Sequence, residues 1–388
     1  MIYSFLRDIV VALIKIVVVM GVCALAVAYT AYLERKVCAW IQSRLGPMRV
    51  GYHGILQPIA DGLKLFIKED IIPSKADKIL FYLCPVICLV PAFTVLAVIP
   101  WSPSFYITDI NIGLLFIFAV SSLGVFGLVM AGWASNSKYP LIGGLRSAAQ
   151  MVSYEVSIGL SVIGVLIFAE SLSMVEIIEK QAESGIWFIL VQPLGFFLYI
   201  VCALAETNRL PFDLPEAETE LVAGYQTEYS AMKFAFFYLA EYLNMIVVSA
   251  IGATLFLGGW GSPLAFLHIE IPGSGMMKAF LEGLIPAVWF CLKVLFILFL
   301  FIWIRWTFPR YRYDQLMQIG WKILLPLSLI NIGFAGIEYF FYEKLAWYIF
   351  YPIVWGGTAL IIIISFKFIK SFENFCVSKR RSDYETAT

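Results

Sequence analysis

Charge is the property that this sequence has least of. Only 14% of its 388 residues are charged, against about 25% in ordinary soluble domains, while 61% are hydrophobic. A soluble fold of this length could not bury so much apolar surface, so the composition indicates a protein that lies in a lipid bilayer. Basic and acidic residues number 27 each, and this balance points to neither a nucleic-acid nor an acidic partner.

Recognisable cofactor motifs are also missing. The sequence has no GxxxxGK[ST], no HExxH, no CxxC and no GxGxxG after a strand, and its only histidines are His53 and His268. Seven cysteines, an odd number in apolar surroundings, argue against a disulfide framework. We therefore expect this chain to bind no flavin, metal ion or iron–sulfur cluster, and we assign any redox cofactor to partner subunits.

Long apolar stretches dominate instead. Each holds roughly 20 residues, the length of a helix through a hydrocarbon core of about 30 Å. They cover about 9–33, 79–100, 112–134, 152–170, 187–206, 235–259, 283–306, 320–342 and 346–369. Helix is expected because lipid cannot satisfy free backbone groups. The sequence predicts an all-α integral membrane protein, a single membrane domain over 1–388 with a polytopic bundle of about nine transmembrane helices.

The orientation follows from Lys and Arg, which favour the negative side of the membrane. Loop 34–78 carries eight of them, and further ones follow the third, fifth and seventh stretches and fill the C-terminal tail. The opposite side has only Arg7, Lys180, Lys278 and Lys344. Loops 34–78 and 207–234 and the C-terminus are therefore predicted on the negative side, with the N-terminus outside.

Within the first of these loops, QPIADGLKLFIKED (57–70) has helical periodicity. Ile59, Leu63, Phe66 and Ile67 fall on one face, with Asp61, Lys64 and Lys68 opposite. The pattern predicts an amphipathic helix in the membrane interface, which could be a surface anchor or a wall of a cavity entered from the membrane.

Acidic residues gather where the chain is otherwise apolar. The stretch ETNRLPFDLPEAETE (206–220) has five carboxylates, one arginine and two prolines. A charge at mid-bilayer costs about 2.5–3.5 kcal/mol, so crowded carboxyl groups in a partly dry site are expected to bind protons and titrate together. We interpret 206–241, with Glu155, as a buried proton path. The alternative is a solvated loop, but Leu210, Phe212 and two prolines interleave with the acids, as in a packed element.

A second polar stretch, ERKVCAWIQSRLGP (34–47), follows the first span. Glu34, Arg35 and Arg44 could hydrogen-bond a polar head group whose apolar tail stays in lipid. The stretch could equally be a positively charged anchor, although an anchor does not require Glu34 or Gln42.

Five stretches resemble one family. ERKVCAWIQSRLGP, GILQPIADGLKL, GGLRSAAQMVSYE, ETNRLPFDLPEAETELVAGYQTEYS and PRYRYDQLM, in this order over roughly 10–340, are similar to the H-type membrane subunit (chain 1) of respiratory complex I. That enzyme is the proton-pumping NADH:quinone oxidoreductase. The resemblance implies a subunit without redox activity of its own, which borders the quinone chamber and contacts the peripheral-arm subunits that carry the cofactors and adjacent small membrane subunits.

The resemblance also implies roles for particular residues. Quinone would be the substrate, and its chamber or entrance would include Glu34, Arg35, Arg44 and Asp61. An acidic path would lead from there towards the pump subunits. Its members would be Glu155, Glu206, Arg209, Asp213, Glu216, Glu218, Glu220, Tyr225, Glu228, Tyr229 and Glu241.

The sequence departs from the family pattern twice. Met48 stands where the family usually has Asn, and the ninth stretch with its basic tail exceeds the commonest eight-span form. The length and the tail favour a bacterial inner membrane over a mitochondrial one. Two alternatives remain open: the related subunit of a membrane-bound hydrogenase, and a stand-alone ion-coupled transporter. A transporter is expected to show an internal repeat, and we find none.

Overall fold

The computed structural model describes residues 2–213, 221–262, 276–342, 344, 349–363 and 367. This part of the chain is helical apart from turns, loops and one isolated bridge between Ser102 and Phe105. The helices are α1 (Ile2–Ile41), α2 (Gln57–Ile67), α3 (Lys78–Val95), α4 (Gly113–Ala134), α5 (Lys138–Ala169), α6 (Met174–Ser184), α7 (Phe188–Val191), α8 (Pro193–Glu206), α9 (Ala231–Phe256), α10 (Met276–Thr307), α11 (Tyr313–Gln318), α12 (Leu325–Tyr342) and α13 (Ile349–Ile363). The predicted all-α class is confirmed.

Seven helical segments are long and apolar enough to cross a membrane, and α8 and α13 are shorter apolar helices. One of the seven, Tyr313–Tyr342, joins α11 to α12 through a π-helical turn at Ile319–Leu324. The described residues thus contain nine apolar helical segments, in agreement with the predicted polytopic bundle. Three short helices, α2, α6 and α7, lie between them.

The outer surface of the bundle is apolar, and its interior is closely packed. Val17, Leu25 and Phe126 are each exposed by more than 60%, a pattern that fits lipid or neighbouring subunits as surroundings. Tyr154 and Tyr199 are fully buried. Their hydroxyls donate to backbone carbonyls, so the interior leaves neither donor unpaired.

Glycines bring α4 and α5 close together. A Cβ at Gly132 would lie 2.5 Å from the carbonyl oxygen of Pro140, and one at Gly144 would lie 2.9 Å from that of Leu128. Small residues allow helix backbones to approach in membranes. This packing fixes α5, which carries Gln150 and Glu155 towards the candidate site.

Helix α2 is amphipathic, as predicted, but it turns its polar face inward. Leu63, Phe66 and Ile67 are exposed, whereas Asp61 pairs with Arg35 of α1. An apolar face that points away from the protein is the arrangement expected of a helix in the membrane interface. Its other face is then available as the wall of a cavity.

Candidate functional site

The site is built around Arg209, which follows α8 in the loop that begins at residue 207. Its side chain is only 4% exposed. Its Nε lies 2.9 Å from Oε1 of Glu241 on α9, and its Nη1 lies 3.5 Å from Oε2 of Glu34 on α1. The guanidinium also stacks on the ring of Tyr242, with 4.1 Å between Cζ and the ring centroid. One cation therefore ties two helices to the loop.

Glu34 is the second centre of the same cluster. The hydroxyl of Tyr242 donates to its Oε2 at 2.8 Å, and Nη1 of Arg305 on α10 pairs with its Oε1. Two guanidinium groups thus share one buried carboxylate with a tyrosine. Burial would lower the pKa of Arg209, but Glu241, Tyr242 and Glu34 outweigh it and hold that pKa above its usual range. Arg209 therefore stays charged.

An open cavity of ≈ 490 Å³ lies beside this cluster, between α1, α2 and α9. Arg35 and Asp61 both line it, and Nη1 of Arg35 lies 2.5 Å from Oδ2 of Asp61. Gln57 donates to the other oxygen of Asp61 at 2.9 Å. The remaining wall is mostly apolar and includes Val27 and Leu239. The volume and this lining are typical of a small-molecule site.

Tyr238 joins the cavity to the cluster. It lines the cavity wall on α9, and its ring centroid lies 4.5 Å from that of Tyr242 on the next turn. Tyr242 in turn bonds Glu34, which is paired with Arg209. A continuous series of contacts therefore runs from the cavity wall to the buried ion pairs.

Arg44 does not lie in the cavity. It is exposed after the end of α1, where its Nε donates to Gln42 at 2.7 Å. Nearby, Nζ of Lys36 lies 3.0 Å from the sulfur of Met48. The sequence grouped Arg35 and Arg44 together because they are close along the chain, but only Arg35 shares a wall with Asp61.

The start of the acidic loop is packed against helices. Thr207, Phe212 and Asp213 are each at most 5% exposed. Gln150 of α5 donates to the carbonyl oxygens of Ala205 and Phe212 at 2.7 and 2.6 Å. For residues 207–213, therefore, the interpretation as a packed element agrees with the structure better than a solvated loop.

Asp213 has a basic partner that the sequence alone did not reveal. Its Oδ2 lies 2.9 Å from Nη2 of Arg310, in the segment between α10 and α11. The backbone N–H of Tyr311 donates to the carbonyl of Pro211 at 3.1 Å. These contacts bring the ends of α8 and α10 together on one side of the bundle.

Two small cavities connect the buried acids. One of ≈ 40 Å³ is lined by Glu206, Glu241, Tyr225 and Asn244, among others. A second of ≈ 30 Å³ shares Glu206 and Asn244 with it. A water molecule needs roughly 10–15 Å³ of such volume, so each cavity has room for water, and the first of them lies between the carboxyl groups of Glu206 and Glu241. Glu206 and Glu241 thus face a common space.

The other predicted path residues lie around this space or outside the described part. Glu155 is half-buried on α5, and Glu228 is half-buried before α9. Tyr229 stacks on Phe81 at 4.1 Å, and burial beside Cys84 raises the pKa of its hydroxyl. Glu216, Glu218 and Glu220 lie outside the described residues. Among the residues described, no group of three or more His, Cys, Asp or Glu could hold a metal ion.

Sequence reasoning missed three members of the site. Arg305, Arg310 and Tyr242 supply the partners of Glu34 and Asp213. The arginines were visible only as positive charges at the end of a span, and Tyr242 only as one aromatic residue among many. The signal that could have found Tyr242 is its position, since it follows Glu241 directly and lies one turn after Tyr238.

Comparison with known proteins agrees with the architecture. The family described as NADH dehydrogenase matches residues 14–336. The chain is 52% identical over 343 residues to the first H-type NADH-quinone oxidoreductase subunit of Geobacter sulfurreducens, covering 83% of this chain and 93% of the relative. It is also 52% identical to the second such subunit of Geobacter metallireducens, covering 84% and 94%. Identity to the H-type subunit of Paramagnetospirillum magneticum is 50%, covering 84% and 91%.

Proposed function

Because the chain belongs to the NADH dehydrogenase family, as a subunit of the H type in an NADH-quinone oxidoreductase, we propose that it binds quinone and couples its reduction to proton translocation. Its proposed partners are the peripheral-arm subunits that carry flavin and iron–sulfur clusters, and the adjacent small membrane subunits. Electrons arrive from those partners. This chain contributes walls of the chamber, hydrogen bonds and buried proton-binding groups.

The cavity between α1, α2 and α9 is the proposed quinone site. A quinone ring carries two carbonyl oxygens, which accept hydrogen bonds from donors such as Arg35 and Tyr238 on the cavity wall. The apolar tail would lie against residues such as Val27 and Leu239. Asp61 and Gln57 hold the guanidinium of Arg35 in place, so the donor is oriented before quinone arrives.

The observation that carries the proposal is the contact series from Tyr238 to Glu241. It passes through Tyr242, Glu34 and Arg209. Reduction of quinone by two electrons adds two negative charges, which are neutralised when the reduced quinone takes up two protons and becomes quinol. Unit charges roughly 10 Å apart interact by about 1–2 kcal/mol at an effective dielectric constant of about 20. Such an energy changes the proton-binding equilibrium constant of a nearby carboxyl group by about tenfold or more.

The proton path would then continue through the small cavity that both Glu241 and Glu206 line. Carboxyl groups are suited to this task because they both bind and release protons, which an amide does not do. Glu155, Asp213, Glu216, Glu218, Glu220, Glu228, Tyr225 and Tyr229 are the further members that we propose for the path. Glu216, Glu218 and Glu220 are assigned from the sequence.

The experiment that tests the quinone site compares Arg35→Ala with Arg44→Ala. Arg35 lines the cavity and Arg44 does not, so the first substitution should raise the KM for quinone and lower quinone reduction. Oxidation of NADH by a water-soluble acceptor should stay unchanged in both assembled complexes. If Arg44→Ala impairs quinone reduction and Arg35→Ala does not, the head group binds outside this cavity and the proposed site is wrong.

We also propose the orientation of the chain and its membrane. The ends of α1, α8 and α10 meet where Glu34, Arg209 and Arg305 pair, and the loops that follow them carry most of the basic residues. This end would face the bacterial cytoplasm, with the N-terminus outside.

A further inference from the structure

A second buried polar cluster lies between α5, α8 and α12. Its members are Glu338, Gln192 and Asn331, which are exposed by 4%, 2% and 1%. Nε2 of Gln192 donates to Oε2 of Glu338. Glycine at position 164 provides the space, because a Cβ there would lie 2.5 Å from Oε1 of Gln192. None of these residues belongs to the acidic path described above.

The cluster has unused hydrogen-bonding capacity. Among the described residues, Oε1 of Glu338, Oε1 of Gln192 and both polar atoms of Asn331 have no hydrogen-bond partner. Nor does any Lys or Arg of the described part form an ion pair with Glu338. An ionised carboxylate without a cation is costly in such a place. A protonated carboxyl group is neutral, and its hydroxyl can donate to the free oxygen of Gln192 or Asn331.

This cluster lies at the other end of α8 from the acidic loop. Gln192 directly precedes α8 and Glu206 is its last residue, 14 residues later, or about 21 Å along the axis. Between these levels, α5 presents two buried serines, Ser157 and Ser161. The Oγ of Ser157 has no partner among the described residues. Buried polar groups therefore lie along the interface between α5 and α8, from one end of α8 towards the other.

An exposed acid lies near the cluster at this end. The hydroxyl of Tyr339, the residue after Glu338, donates to Oε1 of Glu170 at 2.5 Å. Glu170 is exposed and ends α5. Tyr342 of α12 and Tyr351 of α13 are further titratable groups at this end, and Glu170 lies at the protein surface.

The last apolar helix covers the cluster. Nε1 of Trp355 on α13 donates to the carbonyl of Leu190 at 3.2 Å, two residues before Gln192. Gly357 packs on the ring of Phe334 of α12, where an added Cβ would lie 2.6 Å from Cζ. Glu338 and α13 both lie beyond residue 336, where the match to the family ends. The added helix therefore packs beside α12, which carries Glu338, and beside the segment that leads to Gln192.

We infer that Glu338, with Gln192 and Asn331, is a proton-binding site in the outer half of the membrane, from which protons reach the outer water near Glu170. The inference rests on the proposed function, since a pumped proton must leave on the outer side. It assigns to α13 the role of shielding this site. The ligand is a proton, and the accepting atom is a carboxylate oxygen of Glu338.

The test is Glu338→Gln in the complete complex, reconstituted into vesicles. The substitution keeps the size of the side chain and an oxygen that can accept from Gln192. It removes the ability of the side chain to bind and release a proton. NADH-driven proton translocation per assembled complex is expected to fall on the order of 10²-fold, the low end of what a positioned proton donor contributes. Asn331→Leu, which removes the free amide, should also lower it, and Glu338→Asp should restore part of the rate.

The control is Glu179→Gln, an exposed acid on α6 at the same end of the bundle, which should pump at the wild-type rate. If Glu338→Gln lowers only the abundance of the complex, with wild-type translocation per complex, Glu338 is structural and the inference is wrong. Glu241→Gln is measured in parallel. If the Glu241→Gln complex also pumps at the wild-type rate, the proposed function itself is wrong. If Glu241→Gln lowers pumping and Glu338→Gln does not, only the outer site is contradicted.

Discussion

At the scale of single residues, the account depends on how Glu34 is shared. Its two oxygens face Arg209, Arg305 and the hydroxyl of Tyr242. This carboxylate stabilises both cations, because it is the counter-charge of Arg305 and, beside Glu241, a second one for Arg209. Tyr242 has a different role. It is neutral, and it contacts both Tyr238 on the cavity wall and Glu34 in the ion pairs.

This difference leads to opposite expectations for two substitutions. Glu34→Gln takes the paired carboxylate from Arg305 and leaves Arg209 with Glu241 alone, and breaking a buried pair costs about 3–5 kcal/mol. We expect a complex of low abundance and low thermal stability, measured by native gels and thermal inactivation. Tyr242→Phe removes one hydroxyl and should leave assembly intact while slowing quinone reduction coupled to pumping.

The control for Tyr242→Phe is Tyr139→Phe, which removes the hydroxyl of an exposed tyrosine. It should behave as the wild type in both assays. A Tyr242→Phe complex with wild-type coupled turnover would show that the contact from Tyr238 to Glu34 has no part in coupling.

At the scale of elements, the loop after α8 shows which of its features could be predicted from the sequence and which could not. Its alternation of acids with Leu210 and Phe212 predicted a packed element, and Gln150 indeed holds residues 205 and 212 to α5. The partners of that loop lie far away along the chain, 97 positions for Asp213 and Arg310 and 175 for Arg209 and Glu34. Pairings at such separations are set by helix packing, which no local pattern encodes.

The same limit applies to the helices. Their existence and class followed from length and hydropathy, because lipid permits little else than helix. Helix α5, however, begins at Lys138, well before the apolar stretch that marked it. Its first turns are half-polar because they pack on the loop near Gln150 rather than on lipid. Arg44, which the resemblance placed with Arg35 at the chamber or its entrance, lies outside the cavity that Arg35 lines.

Gln150 provides the test of the loop's attachment. Gln150→Leu is close in volume and removes the donor that serves the carbonyl oxygens of Ala205 and Phe212. The carbonyl of Ala205 keeps the N–H of Asn208 as a partner at 3.3 Å, but a buried carbonyl left unpaired at Phe212 costs about 1–3 kcal/mol, so the loop should loosen. We expect faster proteolysis of the chain near residues 207–213 in the purified complex. The exposed Gln42→Leu is the control, and equal protection in both variants would contradict the anchoring role.

At the scale of the whole molecule, the proposal places the quinone cavity and the ion pairs at one end of the bundle and Glu338 at the other. The orientation can be read by cysteine labelling. Ser184→Cys lies in α6 and Lys68→Cys follows α2, and both positions are exposed. An impermeant thiol reagent should label Ser184→Cys in intact cells and Lys68→Cys only in inverted membranes. The reverse pattern would contradict the proposed orientation.

The central claim is that buried carboxyl groups of this chain couple quinone reduction to proton translocation. Its most direct test is Glu241→Gln, because Glu241 contacts Arg209 and also lines the small cavity that reaches Glu206. Proton uptake and quinone reductase turnover are measured in inverted membranes at matched abundance of the complex. The account predicts that both fall together, while NADH oxidation by a water-soluble acceptor is unchanged. Wild-type proton uptake at wild-type turnover in the Glu241→Gln complex would contradict it.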